Sequence, residues 1–467
     1  MNEATLGEPA AYIPAATACS YPVRDGNLIR PLVDGVPAFT RIGAAVEAAR
    51  HSVWLTVTFM APEVELPQGR GTLFDLLDRA VARGVDVRVL FWRPNPETEH
   101  YGRTFAGRPE DRALLAARGS RFRIRWDRSP TTYCQHQKSW LIDAGHDTEL
   151  AFVGGININH RALGTRDHAD MSRIHDAYVE LAGPSATDVH HNFVQRWNEA
   201  SECWAPDGTW GHTALDYPGS DALEFPSCTS AGRGTSRVQV QRTISPGCYG
   251  DGHAAPGAPP FDIAAGERSI LEQYTRAIEA ARRSIYIENQ AIPIAEIAAR
   301  LEAALARGVA VTALVPGVPE DWVTLARRAG QRREQFDRLA ALGRYEGFTL
   351  AGLAGRAGLG PRHDIYVHDK LMLVDDAWAT IGSANLHHNS LYGSGEMNVS
   401  VWDPAFTRAL RIDLLDEHLG RDTSALDDSA ALKLYQQIAR ENRRKHAAGD
   451  PDWQGHAFAL DPATYGM

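Results

Sequence analysis

Two stretches of this chain set a histidine, a lysine and an aspartate at one spacing and close on a Gly-containing turn with an asparagine. The first is His136-Gln137-Lys138, Asp143, Gly154-Gly155 and Asn157; the second is His368-Asp369-Lys370, Asp375, Gly382-Ser383 and Asn385. A single His-x-Lys is noise, but two copies with matched Lys-to-Asp spacing and matched endings are not. They supply two imidazoles, two ammonium groups and two amides. Histidine suits both covalent attack and proton transfer near neutral pH. One ring, neutral, can attack phosphorus while the other, protonated, donates to the leaving oxygen and later takes a proton from the incoming water or alcohol. Lys138, Lys370, Asn157 and Asn385 are donors for developing negative charge. The set suits a site that breaks a phosphodiester without a metal.

Residues i and i+2 of a strand share a face, so a strand reading points His136 the same way as Lys138, and His368 the same way as Lys370. Gly155 and Ser383 are expected against substrate, in turns where the backbone can approach a ligand closely. Asp143 and Asp375 end their strands and are expected to hold turns or basic neighbours. Each histidine needs a group to hold its ring, and Asp176 and Glu396 are the candidates. Cys134, two residues before His136, reads as a small buried residue rather than a nucleophile. The pairs His190-His191 and His387-His388 read as surface residues, because adjacent histidines on a helix or strand do not converge on a metal.

The repeat extends to the elements that must position these groups. Val46–Trp54 resembles Ile278–Tyr286, and the offset, 278 − 46 = 232, equals that of the histidines, 368 − 136 = 232. A third match, Ala82–Val85 with Ala306–Val309, is offset by 306 − 82 = 224, which places extra residues in the first half in a loop at 61–71. Thr72 is a candidate N-cap; Phe74, Leu77 and Val81 share a helical face, and Gly84 stops the helix. Val85, Val87 and Val89 then alternate as in a strand. Leu301, Leu305, Gly308, Val309 and Val311 repeat the plan. Ser139–Ile142 and Leu371–Val374 read as strands covered on both faces. Alternating helix and strand predicts sheets sandwiched by helices, in an N-terminal half over residues 1–235 and a C-terminal half over 236–467. Residues 205–234, rich in Gly, Ser, Pro and Thr, read as the connection, and 245–265 as a long loop that shapes the entrance.

The chain has 467 residues, 44% of them hydrophobic and 23% charged, enough to bury a large core. A net charge of −10 argues against a surface built to grip nucleic acid. Cys19, Cys134, Cys203, Cys228 and Cys248 show no metal-ligand spacing and read as thiols in a reducing compartment. The first twenty residues do not read as a signal peptide and no apolar run of spanning length occurs. A cytoplasmic location is expected, with peripheral contact at a membrane surface or export without such a signal left open.

The two His-x-Lys-x4-Asp phrases resemble the phospholipase D superfamily. Ile285-Tyr286-Ile287-Glu288-Asn289-Gln290 resembles a segment of its phosphatidylcholine-type branch. So do Val238–Thr243 with the stretch after it, and His175-Asp176 with Phe193–Asn198. The resemblance covers most of residues 40–420. It implies an α/β/α sandwich in each half, packed about a pseudo-twofold with one shared site, in a monomer that is an internal pseudo-dimer. It implies a phosphohistidine intermediate, no cofactor and no metal. It makes His136 the nucleophile and His368 the general acid and base, with Glu396 supporting His368 and Asp176 supporting His136. The chain departs from the pattern in three places: Gly154-Gly155 stands for Gly-Ser, extra residues follow Asp143 near Gly145–Thr148, and Ala291-Ile292 replaces an aromatic pair. No lipid-targeting domain is recognisable ahead of the first half.

The reading is a phospholipase D that hydrolyses the distal phosphodiester of phospholipids to phosphatidic acid and free headgroup alcohol, with transphosphatidylation. A cardiolipin synthase-like phosphatidyltransferase uses the same groups; the Ile285–Gln290 segment and the lack of a spanning helix disfavour it. A nuclease of the superfamily is the next alternative. A non-enzymatic member would be expected to have lost a motif residue.

Overall fold

The computed structural model describes residues 12–204 and 221–467. Among the described residues the first half carries seven main strands: β1 (Arg24–Val33), β2 (Ser52–Val57), β3 (Asp86–Trp92), β4 (Arg123–Asp127), β5 (Ser139–Ile142), β6 (Leu150–Gly154) and β7 (Ala177–Ala182). The second carries β8 (Ser236–Ile244), β9 (Ser284–Asn289), β10 (Ala310–Leu314), β11 (Phe348–Arg356), β12 (Lys370–Val374), β13 (Trp378–Gly382) and β14 (Glu396–Trp402). Pairing gives the order β4-β3-β2-β5-β6-β7-β1 in one and β11-β10-β9-β12-β13-β14-β8 in the other. In each sheet the two contacts among the first three strands are parallel and the rest antiparallel, so one topology occurs twice. The two outermost strands, β1 and β8, pair with each other and join the sheets edge to edge.

Helices α1 (Gly35–Ala48), α2 (Leu73–Ala82) and α3 (Ala186–Glu199) have counterparts in α4 (Ser269–Ala280), α5 (Ala295–Ala306) and α6 (Pro404–Leu419). Thr72 caps α2 in a full capping box with Asp75, and Phe74 and Leu77 are buried. Gly84 and Gly308, at φ of +85° and +92°, end α2 and α5 in the left-handed region that disfavours a side chain. Val87, Leu141, Val311 and Leu373 lie in strands buried on both faces, the pattern of a sheet covered by helices. One apolar cluster fills the space inside each half, and a third, with Leu90, Val153, Val179, Phe193, Leu371, Val399 and Leu414, spans both.

The repeated aspartates hold the ends of the matching segments at 46–54 and 278–286. Asp143 Oδ1 accepts from the backbone N–H of Arg50, His51 and Ser52 at 2.9, 2.7 and 3.3 Å. Asp375 accepts from Arg282, Arg283 and Ser284 at 2.7, 2.8 and 2.7 Å. Each carboxylate ties the end of a motif strand to the start of its neighbour.

Several local expectations need correction. The 61–71 stretch is no plain loop: Glu65–Leu66 and Gly71–Thr72 form a small antiparallel hairpin. The 245–265 stretch is a long loop, as expected, and a packed one: it buries Cys248, Tyr249, Ala255 and Ile263, and the Tyr249 hydroxyl donates to Asp127 at 3.0 Å. His190 and His191 are buried on α3, facing Glu149 and the His253 carbonyl, not on the surface. His387 is half-buried, its Nδ1 accepting from Ser390 N–H to cap a short helix, while His388 is exposed. Residues 12–21 depart from a simple division at 235. Tyr12 donates to Asp375, and Trp402 to the Ile13 carbonyl, so this segment lies against the second half. Of the expected connection, residues 205–220 lie outside the described residues.

Candidate active site

His136 and Lys138 do not sit on a strand; they precede β5, and His368 and Asp369 precede β12. Each lysine reaches back to the carbonyl of its own histidine. Lys138 Nζ donates to its own His136 carbonyl at 2.7 Å, and Lys370 Nζ donates to the His368 carbonyl. Lys370 also donates to Gln290 Oε1 at 3.2 Å, which gives the Ile285–Gln290 segment a place in the site.

The halves meet reciprocally around the histidines. Gln135 bridges in parallel to Gly395, and His136 N–H donates to the Gly395 carbonyl at 2.7 Å. In the mirror position Val367 pairs in parallel with His175, and His368 N–H donates to the His175 carbonyl at 2.8 Å. The residue after each partner is the carboxylate. Glu396 Oε2 therefore lies 3.0 Å from His136 Nδ1, and Asp176 Oδ2 lies 2.5 Å from His368 Nδ1. The supports expected for the two rings are exchanged: Glu396 of the second half holds His136, and Asp176 of the first holds His368. Contacts in which i meets j′ and j meets i′ are those of a twofold interface.

This arrangement fixes the tautomer of His136. Its Nδ1 faces both the Glu396 carboxylate and the Ser383 carbonyl, at 3.0 and 3.1 Å, and both only accept. Nδ1 therefore carries the proton, and Nε2 keeps its lone pair. Glu396 is itself anchored by the hydroxyls of Ser383 and Ser390, each at 2.5 Å. Ser383, expected against substrate, is thus committed to a carboxylate, and Ser390 is a supporting residue that no motif signalled.

Gly155 answers the departure from Gly-Ser. A Cβ there would stand 2.3 Å from Asp176 Oδ1. Asp176 is one methylene shorter than Glu396, so its carboxylate occupies the space a side chain at 155 would need. At Gly154 a Cβ would stand 2.3 Å from the Ala177 carbonyl, and at Gly382 it would stand 2.2 Å from Asn398 Oδ1 and 2.4 Å from the Met397 carbonyl. Asn157 and Asn385 follow these turns and are buried; among the described residues neither amide oxygen has a partner.

Electrostatics distinguish the two rings. Burial pushes the Glu396 carboxyl up, but His136, Lys138 and Ser383 outweigh it and hold it below the ordinary range. Burial pushes Asp176 up to about 7 against the pull of Lys370. Burial lowers His136 against Glu396, with both lysines adding to the fall. His368 is pushed well down by burial, Lys370 and Lys138. Burial also brings Lys138 down to about 7. So one pair is an ionised carboxylate with a neutral ring, and the other competes for a proton near neutrality.

Aromatic rings flank both histidines. Phe59 lies edge-on to His136 at 6.1 Å between centroids, and Tyr366 stacks by His368 at 6.2 Å. Cys134 is buried and free, its thiol pushed up to about 12 by burial. Beneath the site Asp34, His168, His175 and Glu417 converge, and His175, Glu288 and His418 form a second group. Such a set could hold a cation. His175, however, meets Asp34 through Nδ1 at 3.1 Å and Glu288 through Nε2 at 2.9 Å. Burial opposes its charge, but Glu288 and Asp34 prevail and hold it well above its ordinary pKa, so the imidazolium itself supplies the positive charge.

Known proteins share this plan. A family profile described as "Cardiolipin synthase, PLD-like domain" matches residues 42–197 and 274–415, and one described as "Phospholipase D" matches 160–294. Phospholipase D alpha 4 of Arabidopsis thaliana is 24% identical, over 86% of this chain and 66% of its own length. Phospholipase D A of Dictyostelium discoideum is 25% identical, over 81% of this chain and 33% of its own length. The chain thus spans less than two thirds of either. Cardiolipin synthase A of Pseudomonas entomophila is 26% identical, over 89% of this chain and 74% of its own. Among solved structures, phosphatidylserine synthase of Haemophilus influenzae superposes with a TM-score of 0.55 at 12% identity, covering 91% of this chain and 95% of that one.

Proposed function

This chain belongs to the phospholipase D superfamily, and from that premise we propose that it transfers the phosphatidyl group of a glycerophospholipid to water, as a phospholipase D, and to small alcohols. The observation that carries the reading is the crossed pair of imidazoles, each held through Nδ1 by a carboxylate of the other half, beside two buried lysines.

His136, neutral and protonated on Nδ1, attacks phosphorus through Nε2. The bond from phosphorus to the headgroup oxygen breaks, and His368 gives that oxygen a proton. Water then attacks the phosphohistidine, yielding its proton to His368, and the N–P bond breaks to release phosphatidic acid. Lys138, Lys370, Asn157 and Asn385 donate to the non-bridging oxygens as charge develops. The His136–Glu396 pair suits a nucleophile because the carboxylate stays ionised behind a neutral ring. The Asp176–His368 pair suits acid and base work because its proton is held near neutral pH.

A phosphatidyltransferase of the cardiolipin synthase kind shares this chemistry and differs only in its acceptor. Its support is the similarity to cardiolipin synthase A over most of both chains. Among the described residues no helix is long and apolar enough to cross a membrane. The test is an assay with purified protein, phosphatidylcholine vesicles, ethanol and EDTA, with lipids followed by mass spectrometry. Phosphatidic acid with phosphatidylethanol is the expected result. Cardiolipin from added phosphatidylglycerol without phosphatidic acid would favour the transferase, and no lipid product at all would refute both.

A further inference from the structure

Two opposite charges with no ion pair at contact distance among the described residues flank Tyr366, the ring beside His368. Basic residues around Arg161 are otherwise matched: His160 and Arg103 with Glu63, Arg166 with Asp413, His168 with Glu417 and Arg173 with Asp170. Arg161 has no carboxylate within ion-pair distance among the described residues; it is exposed, and its guanidinium lies over the Tyr366 ring at 4.7 Å. Glu320, half-buried, has no cation within ion-pair distance among the described residues, though Lys370 is within electrostatic reach of it. It accepts from Trp322 Nε1 at 2.7 Å and from Gln290 Nε2 at 3.4 Å, and Gln290 also donates to the Tyr366 hydroxyl at 2.8 Å. Gln290 is the residue that accepts from Lys370. A carboxylate and a guanidinium are therefore placed around one aromatic ring, tied to the second motif and not to each other.

Under the mechanism proposed above, on which this inference rests, His368 protonates the leaving oxygen. Groups around His368 then surround the headgroup rather than the diacylglycerol. We propose that Arg161, Glu320 and Tyr366 form a headgroup subsite for a zwitterionic amino-acid headgroup such as serine. Arg161 receives the carboxylate through its planar fork. Glu320 receives the ammonium through charge-assisted hydrogen bonds; the faces of Tyr366 and Trp322 are already covered by Arg161 and Arg332. A headgroup bearing only an ammonium leaves Arg161 unmatched, and an uncharged one leaves both unmatched.

Serine and ethanolamine headgroups differ by the carboxylate alone, so their ratio of kcat/KM reads Arg161. Monomeric dihexanoyl phospholipids keep vesicle surface charge out of the comparison. The wild-type protein should prefer phosphatidylserine to phosphatidylethanolamine by about tenfold, the scale of one charge-assisted hydrogen bond. Arg161→Ala should bring the ratio close to one, and Arg161→Lys should retain part of it. Glu320→Gln should lower the serine and ethanolamine substrates together relative to phosphatidylglycerol. A ratio that is the same in wild type and Arg161→Ala overturns the inference, as does a wild-type preference for ethanolamine. If no phospholipid turns over while bis(p-nitrophenyl) phosphate does, the phospholipid reading itself has failed, and the subsite with it.

Discussion

Glu396 Oε2 and His136 Nδ1, 3.0 Å apart, belong to different halves of the chain, and the backbone contact that brings them together is the one between His136 N–H and the Gly395 carbonyl. The same relation, inverted, joins Asp176 to His368. Each half thus completes the other's histidine, and neither half holds a supported ring alone.

The exchange has a kinetic signature. Asp176→Asn and His368→Ala weaken protonation of the leaving group, a contribution of about 10²–10⁴-fold in typical general-acid catalysis. A phosphatidyl ester of p-nitrophenol leaves without that help, so its p-nitrophenol burst, which reads the first step alone, should recover most of the loss while the second step stays slow. Glu396→Gln and His136→Ala weaken the attack itself, so a better leaving group should rescue neither. Rescue of Glu396→Gln but not of Asp176→Asn would show that the supports act in the uncrossed sense.

Gly155 tests the geometry of one pair. In Gly155→Ala the new Cβ would meet Asp176 Oδ1 at 2.3 Å, so the carboxylate must move off His368. A displacement near 1 Å at a catalytic group can cost about 100-fold. We expect kcat to fall on that scale with little change in the urea midpoint. A wild-type kcat would mean that Asp176 is not needed where the structure places it.

Rate should depend on pH in a sense set by the site. His136 must be neutral, and burial and both lysines hold its pKa below the ordinary 6.5, so the acid limb of kcat/KM lies below that value. Lys138 must be charged to bind phosphate, and burial has lowered it to about 7, while the proton of the Asp176–His368 pair is lost in the same range. The optimum of kcat/KM therefore falls on the acid side of neutrality. Bound phosphate favours the ammonium, so the basic limb of kcat should lie higher than that of kcat/KM. Stability follows with opposite signs. Lys138, depressed from 10.5, makes folding more favourable as pH rises above about 7, because the unfolded chain holds the extra proton there. Asp176, raised from 3.8, stabilises the fold below its unfolded value and loses that contribution as pH rises through about 7. A kcat/KM that stays level well into the alkaline range would contradict the assignment.

Asp143 and Asp375 should matter for stability rather than chemistry. Each accepts three backbone N–H groups, and hydrogen bonds to charged groups contribute about 1.5–3 kcal/mol. Asp143→Ala should lose about that much in urea unfolding, with added strain because residue 143 sits at φ of +52°. Asp143→Asn, which keeps one acceptor and tolerates that conformation, should lose less. Equal loss in both would mean that charge, not the amide bonds, is what the position supplies.

Much of this fold is written locally, and those parts are legible in the sequence. The Thr72 cap, the stops at Gly84 and Gly308 and the short apolar runs beside the motifs all act within a few residues of where they are read, and the offset of 232 residues shows the same local plan written twice. The supports of the histidines are not local. Spacing from His368 to Glu396 or from His136 to Asp176 is measured along one half, whereas the contacts form between halves, so the sequence pattern pairs them the wrong way. His190 and His191 misread for a related reason: the groups that make their burial tolerable, Glu149 and the His253 carbonyl, come from other segments. The 245–265 stretch has loop composition, and its packing rests on contacts with distant segments, such as those of Tyr249 with Asp127 and Arg196. Arg161 carries no motif at all; its position above Tyr366 depends on the close pairing of Ile174–His175 with Tyr366–Val367.

The most direct test of the central claim is to quench turnover of a phospholipid and map the modified peptide by mass spectrometry. In His368→Ala, where the second step lacks its base, the phosphatidyl adduct should accumulate on His136. An adduct on His368 in His136→Ala, with His136 unmodified in every variant, would contradict the assignment of nucleophile and acid made from the two carboxylates.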